Sequence, residues 1–133
     1  MSLLARLTEL RARRVARALL EIQQGIDDCV LDPGKCDETQ FERLCVLREL
    51  AMMQVEQLSR RVRRDRTLRG ALEAVCRAYQ SWADEEPGTE REPECADELA
   101  TRIVELRDTI DRAEAAERPP ETAAPVVIAS LRR

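Results

Sequence analysis

The chain has 133 residues, of which 44% are apolar, and its 22 basic and 26 acidic side chains give a net charge of −4. This length fits one domain with its own core, and no segment approaches the roughly 18 to 20 apolar residues of a membrane span. Arginines near the N-terminus interrupt any secretory signal. The sequence therefore predicts a cytoplasmic protein, or a protein of the host-cell interior if its source is a virus.

The residue composition favours helices throughout. Aromatic residues make up only 2% of the chain, so the core must be built mainly from aliphatic side chains. The few Gly and Pro residues concentrate at short breaks, and the segments between them are rich in Ala, Leu, Arg and Glu, which are good helix formers. We predict an all-α fold, an elongated antiparallel three-helix arrangement with coiled-coil-like packing.

The first predicted helix covers residues 2–30. Leu3, Leu7 and Leu10 recur at spacings of four and three, which is the period of an amphipathic helix. The helix should end at residues 32–34, where Pro33 and Gly34 favour a turn. Thr39, three residues before Glu42, then predicts a capping box at the start of the next helix.

The second predicted helix covers residues 40–83 and would be about 65 Å long at 1.5 Å per residue. Its apolar stripe changes phase between Val62 and Leu68, next to an arginine-rich run over residues 60–66. Gly70 follows this run and would permit a bend. The sequence leaves open whether the helix is continuous from Arg60 to Gly70.

The third predicted helix covers residues 93–118. Pro93 suits the first turn of a helix because the missing amide hydrogen is not needed there, and Pro119 and Pro120 cannot continue the helix. Residues 1–118 are thus predicted to form a single helical domain. Residues 119–133 are predicted to be a flexible tail.

Five cysteines and the lack of histidine argue against a metal site, because there is no CxxC spacing and zinc would need cysteine ligands alone. We predict no metal and no cofactor. Buried free thiols are the simpler interpretation. The pairs Cys29–Cys45 and Cys76–Cys95 would need a shift in helix register to reach disulfide geometry, and in a reducing cytosol neither is expected.

The charge changes sign along the chain. Residues 1–69 carry 14 Arg or Lys and 11 Asp or Glu, whereas residues 70–133 carry 8 and 15. Antiparallel packing would place the acidic residues of the third helix beside the basic run, so we expect the run to be paired internally. If it is free, it predicts nucleic-acid binding through six arginines: Arg60, Arg61, Arg63, Arg64, Arg66 and Arg69.

The usual catalytic constellations are missing from this sequence, which has no histidine and no Gly-rich phosphate loop. We therefore predict a non-enzymatic adaptor, assembly factor or chaperone-like protein that binds another protein through exposed apolar helix seams. The aromatic residues have priority as contacts because aromatics dominate interface hot spots. The candidate contact residues are Leu3, Leu7, Leu10, Leu68, Leu72, Tyr79, Trp82, Val126, Val127 and Ile128.

The same apolar seams have a second interpretation. They could join copies of this chain into a homodimer or a larger assembly, which would make the protein a structural subunit. The absolute mass in solution separates this interpretation from the binding of a different protein.

Overall fold

The computed structural model describes residues 2–118, and within them the chain forms four α-helices. These are α1 (Leu3–Leu31), α2 (Glu38–Ser59), α3 (Arg66–Asp84) and α4 (Glu92–Glu117), with a short 3-10 turn at Pro33–Lys35. No strand occurs in the described residues. The predicted all-α class is therefore confirmed.

Helix α1 begins and ends close to the predicted positions. The Ser2 hydroxyl accepts a hydrogen bond from the Ala5 amide at 3.1 Å, which satisfies one of the free amides of the first turn. The helix ends at Leu31, directly before Asp32 and Pro33. The turn residues Asp32, Pro33 and Gly34 therefore follow the end of the helix, as the sequence predicts.

Helix α2 is capped by different residues from those predicted. The Asp37 carboxylate accepts a hydrogen bond from the Gln40 amide at 2.7 Å, and the Gln40 side chain accepts one from the Asp37 amide at 3.0 Å. This is a complete capping box and it lies two residues before the predicted pair. The prediction of Thr39 and Glu42 as the capping pair is wrong, because the helix already includes Thr39.

The second predicted helix, over residues 40–83, is two helices, since residues 60–65 separate α2 from α3, and this decides the continuity that the sequence left open. Val62 in this loop is fully buried, so the chain turns its side chain into the core instead of extending the helix. The Asp65 carboxylate then accepts from the Leu68 amide at 2.9 Å and starts α3. Gly70 lies inside α3 and is not the site of the break.

The turn between α3 and α4 depends on one glycine. Gly88 has φ = +86°, in the region that side chains disfavour. Pro93 then occupies the first turn of α4, as predicted.

The helices pack in an antiparallel bundle in which α1 contacts α2 and α4, and α3 contacts α2 and α4. Contacts between helices fix their directions. Gln23 of α1 lies beside Arg48 of α2, whereas Tyr79 of α3 lies beside Glu49 of α2. The folding back of α3 along α2 gives four helices where three were predicted. Coiled-coil-like packing stays a prediction.

The core runs between all four helices. Its fully buried large side chains include Leu19 of α1, Val55 of α2 and Leu106 of α4. Burial of such side chains stabilises a fold by about 1.5–3 kcal/mol each. The core also includes Leu68, Leu72 and Val75 of α3.

Candidate interaction surfaces

The bundle divides its charge between its two ends. We define the basic end as residues 2–17, 56–73 and 106–118, which include the α2–α3 loop, and the acidic end as residues 18–55 and 74–105, which include the other two turns. The basic end carries 14 Arg against 8 Asp or Glu, and the acidic end carries 6 Lys or Arg against 17 Asp or Glu. The charge asymmetry seen along the sequence is therefore an asymmetry along the bundle axis.

Ion pairs between α1 and α4 close the basic end. Arg6 and Arg13 donate to the two carboxylate oxygens of Glu117 at 2.6 and 2.7 Å, and Arg17 pairs with Asp111 and Glu114. The hydrogen bonds from Arg13 and Arg6 lower the pKa of Glu117 to about 2, because they favour the ionised carboxylate. Three acidic residues at the C-terminal end of α4, Asp111, Glu114 and Glu117, are thus paired with α1.

The basic run of the α2–α3 loop is consequently left uncovered, contrary to the expectation that α4 would pair with it. Arg60 and Arg69 form only local pairs, with Glu56 and Glu73. The remaining arginines of the run are exposed and form no ion pair within residues 2–118. They are Arg61, Arg63, Arg64 and Arg66.

The first turns of α1 expose a cluster of leucines at the same end. Leu3, Leu4 and Leu7 are 74%, 75% and 52% exposed, and Leu10 is partly exposed as well. In the antiparallel α1–α2 pair, Leu7 lies about level with residue 63, beyond the last residue of α2. The predicted contact residues Leu3, Leu7 and Leu10 are therefore accessible, and they lie near the basic run.

Three other predicted contact residues are not accessible. Leu68 and Leu72 are fully buried and Tyr79 is 8% exposed, so all three belong to the core and cannot meet a partner in this structure. Trp82 is half-buried against the core. Val126, Val127 and Ile128 lie outside the described residues.

Helix α2 presents an apolar seam that the sequence reasoning did not find. It faces away from the buried side of α2, which includes Ala51 and Val55. The spacing of four and three at residues 46, 50 and 53 is the signal that marks it, but the prediction used another apolar stripe of this helix, which includes Leu44, Ala51 and Val55. We define the α2 seam as Val46, Leu47, Leu50 and Met53, which are 59%, 41%, 52% and 55% exposed.

One edge of the α2 seam is acidic. Glu42, Glu49 and Glu56 recur every seven residues and all three are exposed, so they form a row along the helix. Glu49 also accepts a hydrogen bond from the Tyr79 hydroxyl, and Glu56 pairs with Arg60. The opposite edge carries Arg43, Leu47 and Gln54, and none of these residues is acidic.

A cleft at the acidic end lies between α1 and α4 and has a volume of about 330 Å³. Its floor includes Arg48, whose guanidinium lies 4.9 Å from the Trp82 ring centre and 5.6 Å from that of Tyr79. Arg48 also donates to Gln23 at 3.2 Å. These contacts hold the arginine in place by cation–π attraction on one side of Trp82, which also packs against the core.

The cysteines differ from the prediction of buried free thiols, because two of the five form a disulfide and only Cys95 of the other three is buried. Cys29 and Cys36 form a disulfide across the α1–α2 turn, with their Cα atoms 5.8 Å apart. Cys45, Cys76 and Cys95 are free, so neither pair considered from the sequence exists. Burial, and the nearby Glu56 and Glu73 carboxylates, raise the pKa of the Cys76 thiol to about 11, which opposes thiolate formation.

None of the described helices combines the length and the apolar character needed to cross a bilayer. Within residues 2–118, no group of three or more acidic or sulfur-bearing side chains is arranged to hold a metal ion. The chain shows no significant similarity to any protein-family model, curated protein or solved structure with which it was compared.

Proposed function

We propose that this protein is a non-enzymatic helical interaction module that binds a partner protein through the α2 seam. The observation that carries the proposal is the exposure of four large apolar side chains on one face of α2, in a helix whose opposite face already fills the core. Contiguous apolar surface of this kind marks interaction sites. Its spacing fits the apolar stripe of a partner helix.

The charges beside the seam indicate what kind of helix would fit. A partner with Lys or Arg along one edge would meet the row formed by Glu42, Glu49 and Glu56. Such pairs select the orientation of a partner helix more than they add affinity. A partner helix with an acidic edge at this position would be rejected by like-charge repulsion.

Photocrosslinking tests this function directly. We would place a photoreactive amino acid at position 50 in the full-length protein and, as a control, at the exposed position of Gln80 on α3. The proposal predicts a discrete crosslinked species from position 50 that is lost when Val46→Ser and Met53→Ser are combined. Equal crosslinking from both positions, or retention of the species in the double variant, would overturn it.

The second candidate function is self-association through the same seam, because the seam itself has the spacing that pairs helices. Light scattering on a sizing column separates the two candidates. A mass near twice the 15.2 kDa of one chain, reduced by Leu50→Glu to that of one chain, would show that the partner is a second copy. A mass of one chain would direct the search to a different protein.

A further inference from the structure

The basic end combines two features that neither the core nor the α2 seam explains. The first is its set of exposed arginines, which includes Arg11 and Arg14 of α1 in addition to the α2–α3 loop. The second is the leucine cluster on the first turns of α1, where Leu3 and Leu4 are about three-quarters exposed. Positive charge next to protruding apolar side chains is the composition of proteins that bind membrane surfaces.

The loop arginines are well placed for contact with a flat anionic surface. Residues 60–65 cap the end of the bundle, and Val62 and the Asp65 cap fix the loop in position. Arg61, Arg63 and Arg64 are exposed around these fixed points. Asp111, Glu114 and Glu117 of α4 are occupied by arginines of α1, and Arg61, Arg63 and Arg64 pair with no carboxylate within residues 2–118, so the positive charge of the loop is available to an external anion.

The leucine cluster favours a lipid surface over nucleic acid. Leucine side chains gain free energy by leaving water for the acyl boundary of a bilayer, whereas a phosphate backbone offers them no such environment. Single-stranded nucleic acid is usually bound with aromatic stacking. All three aromatic residues, Phe41, Tyr79 and Trp82, lie in the acidic end.

We propose that the basic end binds the surface of a bilayer containing anionic lipids. Arg61, Arg63 and Arg64 contact lipid phosphates and carboxylates, and Leu3, Leu4 and Leu7 enter the boundary between headgroups and acyl chains. The acidic end is repelled by the same surface and points away from it. The α2 seam, which lies in the acidic end, stays accessible in this orientation.

Vesicle flotation with the full-length protein tests this proposal. Vesicles of phosphatidylcholine mixed with phosphatidylserine should carry the protein upward, and vesicles of phosphatidylcholine alone should not. High salt should release the protein, because surface charge is screened beyond a Debye length of about 10 Å at 0.1 M. Binding that is equal on both vesicle types would overturn the proposal.

Matched variants separate the contributions of charge and apolar contact. Combining Arg61→Gln, Arg63→Gln and Arg64→Gln should weaken vesicle binding by roughly a hundredfold, since each arginine near an anionic surface strengthens binding by about fivefold. The charge-matched control removes Arg43, Arg77 and Arg91 from the acidic end in the same way and should leave binding unchanged. An equal loss in the control would show that only the net charge matters, which contradicts a defined surface.

The leucines have a control of their own. Combining Leu3→Ser and Leu7→Ser should weaken vesicle binding by at least about tenfold, whereas Val46→Ser with Leu50→Ser in the α2 seam should not. All four positions are exposed, so helix content by circular dichroism should be retained in both variants. Unchanged binding in the first variant, together with salt-sensitive binding of duplex DNA that competes with the vesicles, would replace the lipid surface by nucleic acid as the ligand.

Discussion

The two ends of the bundle are held together in different ways. At the basic end, long charged side chains of α1 reach across to Glu117, Glu114 and Asp111 of α4. At the acidic end, the α1–α2 turn is closed by the disulfide between Cys29 and Cys36. A covalent link does not depend on salt or pH as ion pairs do, so conditions in solution should affect the two ends unequally.

The two ends also differ in the surfaces that they expose to solvent. The acidic end holds a cleft lined in part by Arg48 and Trp82, and its exposed apolar side chains include the α2 seam, Val30, Leu31 and Val104. The basic end exposes leucines in the first turns of α1 and arginines in the α2–α3 loop. The comparison shows that one small bundle can present two unrelated surfaces, separated along its axis.

The largest expected effect is on the free energy of unfolding, and it distinguishes a buried leucine of the basic end from an exposed one. Leu68→Ala removes a fully buried side chain and should lower the free energy of unfolding by about 2–5 kcal/mol, through lost burial and a residual cavity. Leu7→Ala removes a side chain that is 52% exposed and should change it by no more than about 0.5 kcal/mol. Urea denaturation monitored by circular dichroism measures both.

These two leucines look alike in the sequence, since both occupy apolar stripes at helical spacing. Similar losses from Leu68→Ala and Leu7→Ala would mean that the first turns of α1 are buried in solution. That result would remove the leucine cluster from the membrane-binding surface while leaving the arginine loop untouched.

A smaller effect is expected from opening the disulfide at the acidic end. Cys29→Ser with Cys36→Ser removes a link between residues seven apart in sequence, and closure of so short a loop contributes about 2 kcal/mol in the chain-entropy model. Urea denaturation without reductant should show this loss for the double variant. Cys45→Ser, at a free cysteine of the same end, is the control and should show much less.

Reductant sharpens the same measurement. It should lower the stability of the wild-type chain to that of the double variant and should leave the double variant unchanged. Equal stability of wild type and double variant without reductant would show that the turn is not covalently closed in solution.

Much of the fold could be predicted from the sequence because local signals control it. The 3.6-residue period gave the helical class, Asp32-Pro33-Gly34 marked the end of α1, and Pro93 marked the start of α4. These signals act within one turn of helix, and the residues that produce them are adjacent in the chain. These local signals therefore have the same effect whatever the tertiary packing of the helices.

The break between α2 and α3 could not be predicted with the same security. The basic run and the phase change were visible, but Val62 ends α2 by turning into a core that forms only when α3 folds back. The position at which α2 ends therefore depends on tertiary packing, which overrides helix propensity. Once α3 folds back, Leu68, Leu72 and Tyr79 move from a supposed open seam into the interior, and the outer face of α2 is left exposed.

The prediction of which residues pair with the acidic residues of α4 was wrong for a related reason. Antiparallel pairing of the last two helices was anticipated, but in a four-helix bundle α4 has a second neighbour, α1. Arg6, Arg13 and Arg17 pair with three of the α4 carboxylates that were expected beside the α2–α3 loop, namely Asp111, Glu114 and Glu117. A three-helix arrangement does not contain this contact, so no count of charges could have revealed it.

The smallest expected effect is a loss of stability in acid that originates at the basic end. The folded pKa of Glu117 is about 2 and its unfolded pKa is about 4.3, so the unfolded chain binds the proton more tightly. The stabilisation is therefore complete above about pH 4.3 and is lost as the pH falls towards the folded value. Because Glu117 is about one-third exposed, solvent screening keeps the effect modest.

Glu117→Gln isolates this effect from the titration of the other carboxyl groups. The variant should be less stable than wild type at neutral pH, and the difference between the two urea midpoints should shrink as the pH falls from about 5 towards 2. Asp84→Asn, at an exposed acidic-end position that forms no ion pair in residues 2–118, is the control for the removal of one surface carboxylate and should change the urea midpoint at neutral pH by less than Glu117→Gln does. If the difference in urea midpoint between Glu117→Gln and wild type stays constant as the pH falls, the ion pairs of Glu117 with Arg6 and Arg13 do not form in solution. The basic end would then be closed by apolar packing alone.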